Sequence, residues 1–305
     1  MRPTVAVCIT TRNRRAELER TLGVLTQCDP PPHEILVAAD GCTDGTVEWL
    51  RASHPRVQLF EHTKAMGSIP ARNELATACR SEVFVSFDDD SYPIERDFFA
   101  HVAELFALHP RLAVASFPQR TDEYPESLTA TSFGPSRFVG SFANSGAAIR
   151  RAVFIELGGY PGFFFHAYEE PDLALRCAAA GWQVRHETSL TVRHHFTSTQ
   201  RNELRTHQRH ARNELWSVLI RCPWPQVPAV ATFRIVRQFG YAWKRGLGWA
   251  IREPAWWLAA LAGVTECLAE RRTVAWPKYR AWMEMVRTPI DSEETWQVTF
   301  GDQSS

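Results

Sequence analysis

The 305-residue chain reads as an α/β protein with an open, mostly parallel sheet flanked by helices and a helical extension toward the C-terminus. Two observations carry that reading. From residue 4 to about 120, short β-branched runs alternate with amphipathic segments, the pattern of strands covered by crossover helices. From about residue 200 the chain becomes helical in period, basic and rich in tryptophan, with nine of its eleven Trp at or after Trp216.

The apolar run over 4–10 (TVAVCIT) predicts the first strand, and 34–40 (EILVAAD), 57–62, 82–87 (EVFVSF) and 112–117 predict the next four. Apolar residues spaced three to four apart predict intervening helices over 15–27, 44–53, 70–79 and 96–108. Beyond 120 the chain turns Gly- and aromatic-rich, then predicts a helix over 171–180 stopped by Gly181 and a strand near 183–192. Another helix is expected over 201–221. The boundaries that follow are 1–200 for the sheet-bearing domain, 201–290 for the basic, Trp-rich helical extension, and 291–305 for an acidic tail open to disorder.

Hydrophobic residues at 45% and charged residues at 22% suit a chain that buries a large core, which excludes a disordered or low-complexity protein. The formal net charge is zero but unevenly spread: 19 basic against 24 acidic residues through 200, 15 against 6 over 201–288, then four acids without a base. Seven widely spaced cysteines, without a C-x-x-C pair, argue against a disulfide framework or zinc knuckle and for a reducing, cytoplasmic setting. The apolar run after Met1-Arg2-Pro3 is about six residues, too short for a signal peptide. The stretch PAWWLAALAGV over 254–264 is about eleven residues, too short for a bilayer that needs about twenty.

Open sheets of this kind bind ligands beyond the carboxyl ends of their strands. Polar residues stand there: Thr11-Arg12-Asn13 after the first strand, Asp40-Gly41 after the second, and Asp88-Asp89-Asp90 after the fourth. Three successive carboxylates repel one another unless a cation or a positive neighbour compensates. Mg2+ or Mn2+ held by one or two carboxylates keeps coordination positions open for phosphate oxygens. The alternatives are a solvated turn before Tyr92-Pro93 for the acidic run, and a plain Asp-Gly turn for Asp40.

The order of motifs over roughly residues 4–200 resembles that of family 2 glycosyltransferases with the GT-A fold. VCITTRNRRAELERTL is similar to the family's opening strand and polar turn, VAADGCTDGT to its D-x-S-x-D-G-T segment, and GSIPARNELATACRSEVFVSFDDDSYP to its G-x-x-x-A-R-N helix and acidic motif. The resemblance implies a nucleotide-sugar donor held by Thr11, Arg12, Asp40, Arg72, Asp88 and Asp89, with Asp40 at the nucleobase. It implies a metal, Mn2+ or Mg2+, on Asp90 and Asp88, completed by a histidine of the His194-His195 pair, of which His195 is favoured. Glu169-Glu170-Pro171-Asp172-Leu173 resembles the family's E-D-x-D-L motif and matches the catalytic base to Glu170. Glu stands there where Asp is usual, so Glu169 shares the assignment. A carboxylate opposite the metal suits removal of the acceptor's hydroxyl proton. Pro171 at the first helical position would leave Glu170 near the cap, where the helix N-terminus favours a carboxylate at neutral pH. FANSGAAI over 142–149 and Gly158-Gly159-Tyr160 match acceptor-side segments, and His166, Tyr168 and Trp182 count with them as acceptor contacts. A single base on that side implies inversion.

The expected activity is transfer of a hexosyl or rhamnosyl group to a glycan or lipid-linked acceptor, as in polysaccharide biosynthesis. Asp40 suits the N3–H of uracil or thymine better than the N1 acceptor of adenine, so UDP- and dTDP-sugars are the expected donors. The basic, Trp-rich tail suits either a segment lying on anionic lipid through 240–265, at the inner membrane face, or a packed helical cap. No nucleic-acid motif accompanies the charge, so nucleic acid is not an expected partner. Two rival classes stand. A sugar-nucleotide nucleotidyltransferase usually has a Gly-rich G-x-G-x-R loop where this chain has TTRNRR, and a non-catalytic membrane-associated scaffold would tolerate Glu170→Gln. P-loop and dinucleotide fingerprints are absent.

Overall fold

The computed structural model describes residues 2–196 and 202–301; the expected boundary at 200–201 and the end of the tail, 302–305, lie outside the described residues. The strands β1 (Val5–Thr11), β2 (Glu34–Asp40), β3 (Gln58–His62) and β4 (Val83–Asp88) run parallel in the spatial order β3-β2-β1-β4. The helices α1 (Arg15–Leu25), α2 (Thr46–Ser53) and α3 (Ser68–Ala78) connect them. These elements begin and end within two residues of where the apolar runs place them.

Both faces of this sheet are covered, so its strands carry little polar alternation. Val5, Val7 and Ile9 of β1 face a core shared with α1, α2 and α4 (Phe98–Leu108), while Ala6 and Cys8 face one shared with α3 and α6 (Glu169–Ala179). The chain moves outward from β1 to β2 and β3, then crosses back to β4 on the other side of β1. That reversal opens a crevice at the carboxyl ends of β1 and β4.

The remaining strands are β5 (Ser91–Pro93), β6 (Leu112–Ser116), β7 (Gln119–Thr121), β8 (Arg137–Phe138), β9 (Ala147–Arg150), β10 (Gln183–His186) and β11 (Val192–His194), with α5 (Arg151–Glu156) after β9. The large sheet continues from β4 through β9, β6, β10 and β8, and β9 is antiparallel to both neighbours. A second sheet has the order β5-β11-β7. The single strand expected near 183–192 is therefore two, β10 in the large sheet and β11 in the small one. All seven cysteines are free.

The C-terminal part forms α7 (Glu203–Arg221), α8 (Val227–Arg245), α9 (Leu247–Ala250), α10 (Glu253–Ala262), α11 (Val264–Ala269), α12 (Trp276–Arg287) and α13 (Glu293–Phe300). Asn202 caps α7 by accepting the Arg205 N–H at 2.9 Å. Asp172 of α6, fully buried, binds the Arg221 guanidinium (2.9 and 3.1 Å) and Ser217 hydroxyl (3.0 Å) of α7 together with Arg176 (2.9 Å). The stretch read as a tail departs from that expectation. Trp296 and Phe300 of α13 are fully buried beside Phe138 and Trp282, and Ile290 pairs with Phe138 through two backbone hydrogen bonds of 2.8 and 3.0 Å. Burial of two large aromatic rings outweighs the repulsion of four scattered acids. Among the described residues no helix is long and apolar enough to cross a membrane.

Candidate active site

The crevice at β1 and β4 is a cleft of about 540 Å3, lined by Thr10, Thr11, Arg12 and Arg14, by Asp40, Asp88 and Asp89, by the 67–68 and 165–166 loops, by His194, and by Asn202, Arg205, Thr206 and Arg209 of α7. Asn13 enables the turn after β1 by adopting φ of 54°, a left-handed conformation that Asn tolerates, and its Oδ1 accepts the Thr43 N–H at 2.7 Å. The turn swings Arg14 back over the acidic run. There its guanidinium meets Asp89 at 3.0 Å and Asp90 at 2.5 Å.

Each carboxylate of the run has different partners. Asp88, at the end of β4, pairs with Arg72 at 2.5 Å. Asp89 is buried and accepts from the Thr11 hydroxyl at 2.8 Å. Burial, with Asp90 and Asp88 close by, pushes Asp89 up to about 7 against the pull of Arg14 and Thr11. Burial acts on Asp90 too, but His194 and Arg14 overcome it and hold Asp90 below the usual carboxylate range.

Oxygen atoms of Asp88 and Asp90 and a ring nitrogen of His194 lie within 4.8 Å of one another. Two carboxylates and one imidazole form a donor set that suits Mn2+. The histidine here is His194 rather than the favoured His195. In β11 successive side chains alternate, and the register sets His194 opposite Ser91 so that it turns toward Asp90, with 3.4 Å between them. His195 falls on the other side, where its Nε2 meets the Tyr92 hydroxyl at 2.6 Å and its Nδ1 lies 3.2 Å from Arg193.

Asp40 lines the cleft, but its two oxygens also accept the Met66 N–H (2.7 Å) and the Gly67 N–H (2.9 Å), which fixes the loop leading into α3. Gly67 has φ of 100°, and a Cβ there would meet the Phe165 carbonyl oxygen at 2.5 Å, so only glycine allows this loop to lie against the 165–166 segment. Arg72 is not a cleft residue. Its guanidinium is buried and bridges Asp88 to Glu169, the latter at 3.3 Å.

Glu169 is buried; its Oε1 also accepts from Asn144 Nδ2 at 3.3 Å, and the Tyr160 hydroxyl holds Asn144 at 2.7 Å. Its Oε2 is buried with no hydrogen-bond partner among the described residues. Glu170 departs from expectation in two respects. The helix α6 begins at Glu169, so Pro171 is its third residue and not its first, although Glu170 still lies in the first turn. Burial and the Glu169 charge push Glu170 up to about 8, outweighing Arg72 and the backbone N–H donors that favour its carboxylate.

The segment before this pair is strained: Phe165, Ala167 and Tyr168 have φ of 67°, 76° and 71°. Asn213 of α7, fully buried, holds it by donating to the carbonyls of Phe164 (3.2 Å), His166 (2.9 Å) and Ala167 (2.7 Å). His166 faces the cleft, its Nδ1 3.0 Å from the Ser68 hydroxyl. Tyr168 does not. Its left-handed backbone turns the ring into α7, edge-on to His210 at 5.1 Å with its hydroxyl 3.5 Å from Glu214. Trp182 also lies away, because it precedes β10 at the amino ends of the strands while the cleft is at their carboxyl ends.

Sequence reasoning missed Arg14, Arg205 and Arg209 as residues of the cleft, and Asn144 and Asn213 as its supports. The run TTRNRR carried a signal for Arg14, since Asn before two arginines marks a turn able to double back. Nothing local marked Asn213, 46 residues from Ala167 along the chain.

Over residues 6–170 the sequence matches the family described as Glycosyl transferase family 2. No curated protein sequence matches it. Among solved structures, the mannosyltransferase PcManGT from Pyrobaculum calidifontis, in complex with GDP-Man and Mn2+, is 22% identical with a TM-score of 0.59, over 94% of this chain and 85% of that one. S. aureus TarS 1-349 in complex with UDP-GlcNAc is 14% identical with a TM-score of 0.59, over 93% and 91%. GalNAc-T7 with UDP, GalNAc and Mn2+ is 14% identical with a TM-score of 0.59, and the match covers 72% of this chain and 48% of that one. A family match across β1 to the start of α6 and a fold shared with these structures over most of this chain lead to one conclusion: this chain belongs to glycosyl transferase family 2 and has the GT-A fold.

Proposed function

We propose that the protein transfers a sugar from a nucleoside-diphosphate-sugar to a hydroxyl of a glycan or glycolipid, with inversion. The observation that carries this is the juxtaposition of the Asp88, Asp90 and His194 cluster, of which Asp88 and His194 line the cleft, with Arg14, Arg205 and Arg209 on the walls of the same cleft. Asp88, Asp90 and His194 would hold Mn2+ or Mg2+, and such an ion would neutralise charge on the leaving diphosphate. Arg205 and Arg209 face the same space from α7 and suit the diphosphate oxygens. Thr11 and Arg12 shape the nucleotide end, with Asp40 at the base and Asp89 steadying the turn through Thr11 and Arg14.

Glu170 takes the acceptor proton, with Glu169 fixed beside it by Arg72 and Asn144. A basicity raised toward neutral suits a general base, because it joins a usable proton affinity to a usable deprotonated fraction. Arg72 ties this base pair to Asp88, so the two ends of the reaction share one buried strut. His166 is the acceptor-side contact that the cleft retains.

UDP- or dTDP-sugars are the proposed donors. Guanine also presents a donor edge to a carboxylate, and the neighbour PcManGT holds GDP-Man, so GDP is the competitor to test. Trp243, Leu247, Ile251, Leu258 and Leu261 are exposed near Lys244 and Arg252, which suits peripheral contact with anionic lipid at the inner membrane face and a lipid-linked acceptor. Thermal stabilisation by UDP, dTDP, GDP and CMP, each with and without Mn2+, tests the donor. A Mn2+-dependent shift with UDP or dTDP is expected; no shift with any of them would overturn the reading. The anomeric configuration of the product, read by proton NMR, tests inversion.

A further inference from the structure

A second cavity of about 650 Å3 lies on the adjacent face of α7, between that helix, α8 and α9, with Glu123 and Phe196 at its edge. Thr206 lines both cavities. Along α7, Asn202, Arg205 and Arg209 face the donor cleft, while Glu203, His207 and His210, offset by one position on the helix surface, face the second cavity.

Three rings form its aromatic wall. The imidazole of His207 stacks on Tyr241 with centroids 5.2 Å apart and planes 28° apart, and lies 5.6 Å from Trp249. This wall is supported from behind: His207 Nε2 lies 2.8 Å from Glu253, which is fully buried and also accepts from Trp256 Nε1 at 2.8 Å. The Arg245 guanidinium spans Tyr241 and Trp249 at 5.5 and 5.4 Å from their centroids. Gln238, buried, lines the floor.

The formal charges lining the cavity balance, Glu123 and Glu203 against Arg237 and Arg245. Arg245 faces Glu203 at 3.7 Å, and Arg237 binds both oxygens of Glu214. A site for phosphate or a phospholipid headgroup would present unmatched cations, whereas ring faces with a few fixed hydrogen-bonding groups suit the C–H faces and hydroxyls of an uncharged sugar.

We propose that this cavity is a saccharide subsite that holds the acceptor glycan behind the residue being extended, so that the acceptor is a neutral oligosaccharide of two or more residues. The inference rests on the transferase reading above. The two cavities, of about 540 and 650 Å3, meet at Thr206, and each has room for more than one pyranose ring, so an occupant extending from one into the other is longer than a single ring.

The test uses the full chain on an array of neutral oligosaccharides of increasing length, with UDP- or GDP-dependent thermal stabilisation in Mn2+ measured on the same protein. Wild type is expected to hold a subset of the glycans, with monosaccharides bound at least tenfold more weakly. Tyr241→Ala and Trp249→Ala are expected to lose at least tenfold in glycan affinity, and Tyr241→Phe, which keeps the ring, to retain it. The nucleotide shift stays the same in all three variants, which shows that they fold. The inference is overturned if no glycan binds while the nucleotide shift is present, if Tyr241→Ala binds as wild type does, or if phosphatidylglycerol vesicles displace the glycans. Absence of the nucleotide shift in wild type would instead remove the transferase reading on which the inference stands.

Discussion

At the scale of single residues, Asp88, Asp89 and Asp90 can stand in succession because each is compensated by its own partner: Arg72 for the first, Thr11 with Arg14 for the second, and Arg14 with His194 for the third. His194 and His195 allow a sharp comparison, since they are adjacent in sequence but turned apart. His194→Ala is expected to weaken Mn2+ binding at least tenfold, measured by titration calorimetry, while His195→Ala, whose ring faces Tyr92, leaves it unchanged. Equal effects of the two substitutions would remove His194 from the proposed metal site. Which histidine turns inward was not legible, because parity along β11 depends on its register against β5 in a separate sheet. Asp40 and the acidic run were legible because a polar residue at the end of a buried parallel strand has few places to go except the crevice. Tyr168 and Trp182 were misplaced for backbone reasons, one turned by a left-handed φ and the other set at the wrong end of its strand.

Between elements, the site depends on a helix outside the family match. The strained 165–168 segment carries His166 and leads into Glu169 and Glu170, and its carbonyls are held by Asn213. Asn213→Leu removes the amide donor shared by three carbonyls and takes this partner from those of His166 and Ala167, while that of Phe164 keeps Arg212 at 3.0 Å, at an expected cost of about 2 kcal/mol. Chemical denaturation would show this as a lower midpoint. With the loop released, sugar transfer is expected to fall at least tenfold while nucleotide binding, proposed to rest on the ends of β1, β2 and β4 and on Arg205 and Arg209 nearer the start of α7, stays within about twofold of wild type. Equal losses in both would mean that Asn213 supports the whole fold and not the loop. The strands and crossover helices of the first half were legible in order and extent because their apolar periods are local. The dependence of the loop on α7 was not, since it rests on contacts nearly fifty residues apart along the chain.

For the molecule as a whole, Glu170 links activity and stability to pH with opposite signs. Its folded-state value of about 8 lies above the ordinary 4.5, so the folded protein retains a proton that the unfolded chain has lost. The resulting stabilisation is fully present below about 4.5 and is lost as pH rises through about 8, whereas a base that must be deprotonated gains activity over the upper part of the same range. Transfer rate is expected to rise from pH 6 to 9 with a midpoint near 8, while the melting temperature falls; Asp89, pushed up to about 7, shares in the fall below that pH, so Glu170→Gln is expected to flatten the thermal trend above about 7 and abolish most of the transfer. A wild-type rate independent of pH over that window would remove Glu170 as the base. The far edge of the large sheet carries a different consequence. The two-residue strand β8 ends the sheet, and its outer partner is Ile290, followed by the helix that buries Trp296 and Phe300. During synthesis that edge stays bare until Ile290 and the helix after it have left the ribosome, and a bare edge recruits strands from other molecules. Chains stalled or clipped before residue 290 should therefore collect in inclusion bodies, and Ile290 with the helix Glu293–Phe300 acts as the clasp that keeps newly made copies apart.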